Sequence, residues 1–180
     1  MPRNVEIKAR VRDPQSLSRA VAAIADGAPT LLLQDDTFFD SPRGRLKLRV
    51  FADGSAELIS YLRSDVGGPR ESRFAKAPVS DPTALAAVLD DALGTAGTVR
   101  KRRLLYRRGR TRIHLDEVEG LGSFIELEVV LRPGEDPKAG IEEARRLSAR
   151  LGIDREHLVD RAYVDLLQEG APGGGGKEGP

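Results

Sequence analysis

The chain has 180 residues, a formal net charge of +1 and a charged fraction of 32%. This length fits one domain with a proper core, and the near-balanced charge does not favour wholesale nucleic-acid binding. Without cysteine, disulfides, thiolate metal sites and cysteine nucleophiles are excluded. No apolar run reaches the length of a membrane span and no signal-peptide pattern opens the chain, so a cytoplasmic protein without membrane partners is expected.

Alternation of apolar and polar residues predicts eight strands, and the short turn signals between several of them favour antiparallel hairpins. The predicted strands cover residues 4–12, 31–39, 45–52, 55–63, 71–77, 98–107, 110–118 and 123–131. Helices are predicted to begin at Asp13-Pro14 and at Asp81-Pro82, and to cover residues 137–151 and 155–168. We expect one domain over residues 1–168 and a disordered, glycine-rich tail over 169–180.

Most of these strands carry charged residues on the face opposite their aliphatic residues. Each charged face could simply contact water. The amphipathic helices need apolar sheet surface to cover, however, and this favours charged faces that close around a polar lumen. The sequence therefore predicts an α+β fold, an eight-stranded antiparallel closed β-barrel with a charged lumen and helices packed outside. The charged faces contain Glu6, Lys8, Arg10 and Arg12, then Arg45, Lys47 and Arg49, then Glu57 and Arg63, then Lys101 and Arg103, then Arg112, His114 and Asp116, then Glu126 and Glu128.

The cations in such a lumen would repel one another. Two like charges about 5 Å apart repel by about 3 kcal/mol at an effective dielectric constant near 20. A multiply charged anion relieves this repulsion, and arginine forks match phosphate oxygens. A chain of phosphates is therefore a natural occupant.

Five motifs occur in order between residue 3 and about residue 167. They are Asn-Val-Glu-Ile-Lys-Ala-Arg at 4–10, Gln-Asp-Asp-Thr-Phe-Phe at 34–39, Gly-Arg-Leu-Lys-Leu-Arg at 44–49, the segment 111–130, and Asp-Arg-Ala-Tyr-Val-Asp-Leu-Leu at 160–167. Together they resemble the CYTH family, also called triphosphate tunnel metalloenzymes, and within it the class IV adenylyl cyclase-like branch. The resemblance implies a tunnel that binds a triphosphate together with a divalent metal, usually Mg²⁺ or Mn²⁺.

The family's opening signature is Glu-x-Glu-x-Lys, and this chain has Asn4, Glu6 and Lys8 at those positions. The resemblance implies that Glu6 is a metal ligand and that Lys8 contacts phosphate. The paired acids of the late strand match as Glu126 and Glu128, the other candidate metal ligands. The expected phosphate-binding cations are Lys8, Arg10, Lys47, Arg49, Arg63, Lys101, Arg103 and Arg112.

Glu126 and Glu128 lie on one face of a strand, with their Cα atoms roughly 6.5–7 Å apart. Together with Glu6 they could surround one octahedral Mg²⁺. The alternative is that they form salt bridges with lumen arginines without any metal. His114 could shuttle a proton, but a structural hydrogen bond to a carboxylate is favoured. Asn4 lacks the charge of a carboxylate, which leaves open whether one or two metals bind.

Asp116 is the candidate for a metal-linked or nucleophile-orienting acid, and Lys101 and Arg103 complete the candidate catalytic residues. Two reactions suit the predicted lumen. In the favoured one, the 3′-hydroxyl of ATP attacks the α-phosphorus to give cyclic AMP and pyrophosphate. In the other, water attacks the terminal phosphorus of tripolyphosphate, thiamine triphosphate or another triphosphate.

Two features of the sequence weigh against the favoured cyclase. An aromatic content of 4% leaves few residues to stack on adenine. The missing carboxylate at Asn4 would support a third function, a catalytically silent binder of polyphosphate or nucleotide. The expected partner is a small-molecule triphosphate in every case, and the sequence allows a homodimer without fixing the oligomeric state.

Overall fold

The computed structural model describes residues 1–63 and 68–170, with no description of the Arg63 side chain. Its eight strands form one closed antiparallel barrel in the order β1-β5-β4-β3-β2-β6-β7-β8. The predicted eight-stranded barrel is confirmed. The predicted role of the Arg63 side chain, and residues 171–180 of the tail predicted over 169–180, lie outside the described residues. The strands are β1 Arg3–Arg10, β2 Thr30–Phe39, β3 Arg45–Phe51, β4 Ala56–Arg63, β5 Arg70–Val79, β6 Thr95–Arg108, β7 Thr111–Val118 and β8 Gly122–Val130.

Tight turns connect two of the hairpins. Between β3 and β4, the amide of Phe51 donates to the carbonyl of Ser55, and Gly54 adopts a φ of 82°. Between β6 and β7, Gly109 adopts a φ of 53°. A side chain at these φ values is strained, so glycine permits both turns.

In the part of the chain that the structure describes, four helices accompany the barrel. They are α1 Pro14–Ile24, α2 Pro82–Leu93, α3 Pro137–Arg150 and α4 Tyr163–Gly170. The first two begin at capping aspartates, Asp13 and Asp81, whose carboxylates accept backbone amides of the first turn.

The first three helices cover the aliphatic outer face of the sheet. Residues of α1 and α3 pack with β1, β7 and β8 in one core that includes Val5, Val21, Ile113, Leu127 and Ala144. Leu85 and Leu89 of α2 pack against a smaller cluster around Phe39 and Leu48. Covering the aliphatic face from outside leaves the charged face directed inward, as the sequence predicts.

The last helix lies at one end of the barrel. Tyr163 and Val164 pack in a cluster with Phe38, Val99 and Phe124. The ring of Tyr163 meets that of Phe124 edge to face, with centroids 4.9 Å apart. This contact places the start of α4 against the inner face of the barrel.

The predicted single helix over residues 155–168 is wrong in its extent. The structure has one 3-10 turn at Arg155–His157, followed by extended chain before α4. Leu158 forms a bridge with Ala9, and the amide of Val159 donates to the carbonyl of Lys8. These backbone bonds to the end of β1 hold the chain extended where a helix was expected.

In the described ranges, none of the helices combines the length and the hydropathy required to cross a bilayer.

Candidate triphosphate site

The inner face of the barrel encloses a cavity of about 300 Å³. Every strand contributes to its lining, because alternate residues of each strand point inward. Among the described residues, seven cations and five carboxylates line the cavity, which leaves an excess of two positive charges. The cations are Lys8, Lys47, Arg49, Lys76, Lys101, Arg103 and Arg112, and the carboxylates are Glu6, Asp36, Glu57, Glu126 and Glu128.

Asp36, on β2, is the centre of the most crowded charge cluster. It is fully buried and accepts hydrogen bonds from Lys47 Nζ at 2.8 Å and Lys101 Nζ at 2.7 Å. Arg49 also donates to it through Nε at 2.6 Å and Nη2 at 2.7 Å. Burial alone would raise the pKa of Asp36, but Lys47, Lys101 and Arg49 outweigh burial and hold the pKa well below its usual value.

The two lysines of this cluster hold their protons less tightly than usual. Burial, with help from Arg49 and Arg103, lowers the pKa of Lys101 to about 8, although Asp36 opposes the change. Burial and Arg49 likewise lower the pKa of Lys47 well below its usual value. One carboxylate shared among three cations is too little to offset their desolvation and mutual repulsion.

A second cluster surrounds Arg103 on β6. Its guanidinium donates to Asp116 through Nε at 2.7 Å and Nη2 at 2.6 Å, and Nη2 also lies 2.9 Å from Glu126 Oε2. Tyr163 Oη donates to Asp116 at 3.0 Å. Burial would raise the pKa of Asp116, but Arg103 lowers it below its usual value. The bidentate pair fixes the orientation of the Arg103 guanidinium.

The candidate metal site consists of His114 on β7 with Glu126 and Glu128 on β8. One ligand atom from each lies within 4.8 Å of the others. His114 Nδ1 is 3.3 Å from Glu126 Oε2, and His114 Nε2 is 3.9 Å from Glu128 Oε2. Burial raises the pKa of Glu126, but His114, Lys8 and Arg103 hold the pKa well below its usual value. A donor set of two carboxylates and one imidazole fits a divalent cation.

Glu6 and Asn4 lie beside this cluster on β1. Glu6 is paired across the ladder with Glu128 on β8 and with Arg70 on β5. Its carboxylate is 3.5 Å from Arg70 Nε. Asn4 is 3% exposed, and its Oδ1 is buried without a hydrogen-bond partner among the described residues. An unpaired amide oxygen beside two carboxylates is compatible with a cation ligand.

The structure brings most of the sequence-predicted site residues together around the cavity. The lining includes Glu6, Lys8, Lys47, Arg49, Lys101, Arg103, Arg112, Glu126 and Glu128. Arg112 Nε lies 3.0 Å from Glu128 Oε2. Both glutamates therefore form ion pairs with lumen arginines, as the alternative to metal binding expects, and they also share a possible ligand cluster with His114.

Two predicted residues lie apart from the lining. Asp116 is 2% exposed and contacts Arg103 rather than the cavity. Arg10 is exposed, and it donates to the carbonyl of Leu121 at 3.3 Å and lies over the Phe124 ring.

Asp36 is the principal residue that the sequence prediction missed. The alternation of residues 31–39 places position 36 on the same face as 34 and 38, so a signal was present. The neighbouring Asp35 is half-buried and pairs with exposed Arg100 on the outer surface, so alternation separates the two acids.

Comparison with known proteins agrees with this architecture. The CYTH domain matches residues 2–163. Adenylate cyclase CyaB of Aeromonas hydrophila is 28% identical over 181 aligned residues, which cover 92% of this chain and 88% of the relative.

Two solved structures share the fold. The PH1012 protein of Pyrococcus horikoshii superposes with a TM-score of 0.82 at 22% identity, covering 91% of this chain and 99% of that one. A Hippeastrum protein, described as a candidate adenylyl cyclase with a dominant triphosphatase activity, has a TM-score of 0.67 at 18% identity, covering 93% and 96%. With a domain match that spans nearly all of the barrel, the chain belongs to the CYTH family.

Proposed function

We propose that this protein is a divalent-metal-dependent enzyme that binds the triphosphate of ATP inside the barrel and converts ATP to cyclic AMP and pyrophosphate. The observation that carries the proposal is one cavity lined both by more cations than carboxylates and by the cluster of His114, Glu126 and Glu128. Similarity to an adenylate cyclase over 92% of the chain supports this reaction among those that a triphosphate site could perform.

Phosphate binding follows from the charge balance around Asp36. Lys47, Arg49 and Lys101 converge on that single carboxylate, so a triphosphate would supply the negative charge that they lack. Arg49 can offer a planar fork to two phosphate oxygens, while the lysines act as compact point charges. Their location in a cavity with little access to water strengthens each of these interactions.

The metal would be held by His114, Glu126 and Glu128, with Glu6 and Asn4 close by on β1. A divalent cation supplies positive charge that lowers the pKa of an attacking hydroxyl and offsets the charge of the phosphates. To bind the metal, Glu126 and Glu128 would either keep their ion pairs with Arg103 and Arg112 and also coordinate the cation, or give up these ion pairs.

In the proposed reaction, the 3′-oxygen of ATP forms a bond to the α-phosphorus, and the bond from that phosphorus to the bridging oxygen breaks. The electron pair and the negative charge leave with pyrophosphate, while the hydroxyl proton passes to solvent or a nearby base. Lys101 and Arg103 stabilise the departing pyrophosphate, since both line the cavity. Asp116 acts as a positioning residue that orients the Arg103 guanidinium.

Hydrolysis of a triphosphate is the second candidate, because the phosphate half of the site serves either reaction. The fold alone does not distinguish a cyclase from a triphosphatase, since a Hippeastrum protein with this fold is described as having a dominant triphosphatase activity. The difference lies in which phosphorus faces the metal and which nucleophile is present.

A product assay tests the proposal. Purified protein is incubated with ATP, tripolyphosphate or thiamine triphosphate, each with Mg²⁺ or Mn²⁺, and the products are separated by chromatography. Cyclic AMP with pyrophosphate is the expected result with ATP. Release of orthophosphate would indicate that the protein is a triphosphatase and not a cyclase. Binding without any product would indicate a catalytically silent binder.

The same assay tests the metal ligands through Glu126→Gln. This variant should lose metal-dependent turnover and keep its fold, because the amide removes one ligand charge at nearly constant volume. Glu142→Gln on α3 is the matched control, since Glu142 is exposed and lies 4.0 Å from Arg146 on the outer surface. A wild-type rate in Glu126→Gln would show that Glu126 is not a metal ligand of the active site.

A further inference from the structure

Aromatic side chains are concentrated around the cavity. The chain has eight phenylalanine and tyrosine residues, and five of them line the cavity. The cavity therefore has aromatic side chains that an organic part of a ligand can contact, although the aromatic content of the chain is low. The five are Phe38, Phe51, Tyr61, Phe74 and Tyr163.

Three apolar residues form a row along the inner face of three neighbouring strands. Thr30 of β2 is paired with Leu105 of β6, and Gln34 of β2 is paired with Phe51 of β3. Leu32 lies between Thr30 and Gln34 on β2, so it is a diagonal neighbour of both Leu105 and Phe51. Leu32, Phe51 and Leu105 all line the cavity and are only partly buried. The row is available to a flat apolar ligand.

Gln34 interrupts this apolar surface with one polar side chain. It is 5% exposed, lines the cavity, and carries a buried Oε1 without a hydrogen-bond partner among the described residues. Its ladder neighbour Lys101 directs its ammonium group to Asp36 at 2.7 Å. A buried amide oxygen without a hydrogen bond lowers the stability of the folded protein. A donor on a bound molecule would remove this cost at Gln34 Oε1.

We propose that Gln34 recognises the exocyclic amino group of an aromatic base, as in adenine, while Leu32, Phe51 and Leu105 pack against the base. This inference rests on the proposed function, and it identifies the substrate as an aminopurine nucleoside triphosphate. Ionised phosphate oxygens only accept hydrogen bonds, so inorganic tripolyphosphate cannot satisfy Gln34 Oε1. An amino group on a flat ring supplies both the donor and the apolar surface.

Calorimetry of the full chain tests the inference in EDTA, where metal-dependent turnover does not consume the ligand. The three probes are ATP, purine riboside 5′-triphosphate and inorganic tripolyphosphate. Purine riboside lacks the 6-amino group and is otherwise the same ring system. Wild-type protein should bind ATP about tenfold more tightly than purine riboside triphosphate, as one hydrogen bond to a buried acceptor predicts.

The variant Gln34→Leu should weaken ATP binding about tenfold and remove the preference over purine riboside triphosphate. Its affinity for tripolyphosphate should stay at the wild-type value. Gln15→Leu, the same change at an exposed position of α1, is the matched control and should bind all three probes as wild type does.

Equal wild-type affinities for ATP and purine riboside triphosphate would overturn the role of Gln34, even if Gln34→Leu fails to fold. An equal loss of tripolyphosphate and ATP binding in Gln34→Leu would also overturn it, because Gln34 would then belong to the phosphate site. Failure of wild-type protein to bind any of the three probes in EDTA, together with no product from ATP in the assays with Mg²⁺ and Mn²⁺, would overturn the proposed function as well, so the two failures are distinguishable.

Discussion

Asp36 determines the charge state of the cavity because three cations depend on its carboxylate. Removing one member of a buried ionic cluster leaves the others desolvated and unpaired, and this costs more than the net value of the cluster. The folded barrel therefore depends on Asp36 for stability when no anion is bound in the cavity.

Asp36→Asn should lower the free energy of unfolding by about 3–5 kcal/mol, because Lys47, Arg49 and Lys101 then face one another across a neutral amide. Urea denaturation measures the change. Asp35→Asn is the matched control, since Asp35 is the adjacent acid on β2 and pairs with exposed Arg100. Unfolding of both variants at the same urea concentration would contradict the central role of Asp36.

Lys101 should make triphosphate binding depend on pH. Its pKa of about 8 is below the ordinary lysine value, and bound phosphate favours the protonated form. Binding above pH 8 therefore requires proton uptake, and the affinity for tripolyphosphate should fall by up to about tenfold per pH unit. The groups near Lys101 include Asp36, Lys47, Arg49, Arg103, Asp116 and the ring of Tyr163.

Calorimetry without metal between pH 7 and pH 9.5 measures this dependence. Lys101→Arg keeps its charge throughout the range and should flatten the profile. Some slope should remain in that variant, because the pKa of Lys47 is lowered in the same direction. An identical slope in the two proteins would mean that Lys101 does not titrate in this range.

Sequence alternation predicts which residues face the lumen, but it does not predict which of them meet. Glu126 and Glu128 share a face of one strand, and spacing alone brings them together. The third member of the ligand cluster depends on register between strands: Glu126 lies opposite His114 on β7, whereas Glu128 lies opposite Glu6 on β1. The family resemblance assigns Glu6 to the pair, whereas the register in the structure adds His114.

Among the elements, α3 packs closely on the barrel through a glycine, Gly140. A Cβ at Gly140 would lie 2.8 Å from Leu131 Cδ2 and 3.0 Å from Val5 Cγ2. Both neighbours are buried, and the β-branched side chain of Val5 has few alternative rotamers. Gly140 therefore sets the distance between α3 and the β1–β8 seam.

Gly140→Ala should destabilise the protein by about 1–2 kcal/mol, because overpacking exceeds the gain of about 1 kcal/mol in helix propensity. Thermal unfolding followed by circular dichroism measures the change. Gly170→Ala in α4 is the matched control, since a Cβ there has no atom within 4 Å. An unchanged or raised melting temperature in Gly140→Ala would show that α3 can shift at little cost.

The elements themselves are largely predictable from this sequence. Alternation and turn residues locate all eight strands within a few residues, because the two faces of most strands meet different surroundings in the barrel. The segment before α4 is the exception. Its local pattern suits a helix, but hydrogen bonds from the distant β1 hold it extended, and such long-range pairing leaves no local signal.

Across the barrel, the packing against the first three helices lies outside the sheet, and a dense set of charged groups lies inside it. The aliphatic clusters under α1, α2 and α3 stabilise the fold, while the lumen concentrates seven cations against five carboxylates among the described residues. A polyanion that enters the cavity binds the folded barrel and has no comparable site on the unfolded chain. Ligand binding and folding are therefore linked.

Tripolyphosphate should raise the melting temperature of the metal-free protein. At a concentration one hundred times its Kd, the stabilisation is about 2.7 kcal/mol, or roughly 5–10 °C for a chain of this size. Orthophosphate at the same ionic strength should give a smaller shift, because it spans fewer of the lumen cations. Differential scanning fluorimetry measures both shifts.

Arg49→Ala should reduce the tripolyphosphate shift more than the orthophosphate shift, since Arg49 lines the cavity beside Lys47 and Lys101. Arg146→Ala is the matched control, because Arg146 is exposed on the outer surface of α3 and its loss should change neither shift. Equal shifts with the two anions, or equal losses in the two variants, would attribute the stabilisation to general surface electrostatics. A shift confined to tripolyphosphate and abolished only in Arg49→Ala would locate the polyanion in the barrel, because Arg49 lines the barrel cavity together with other cations.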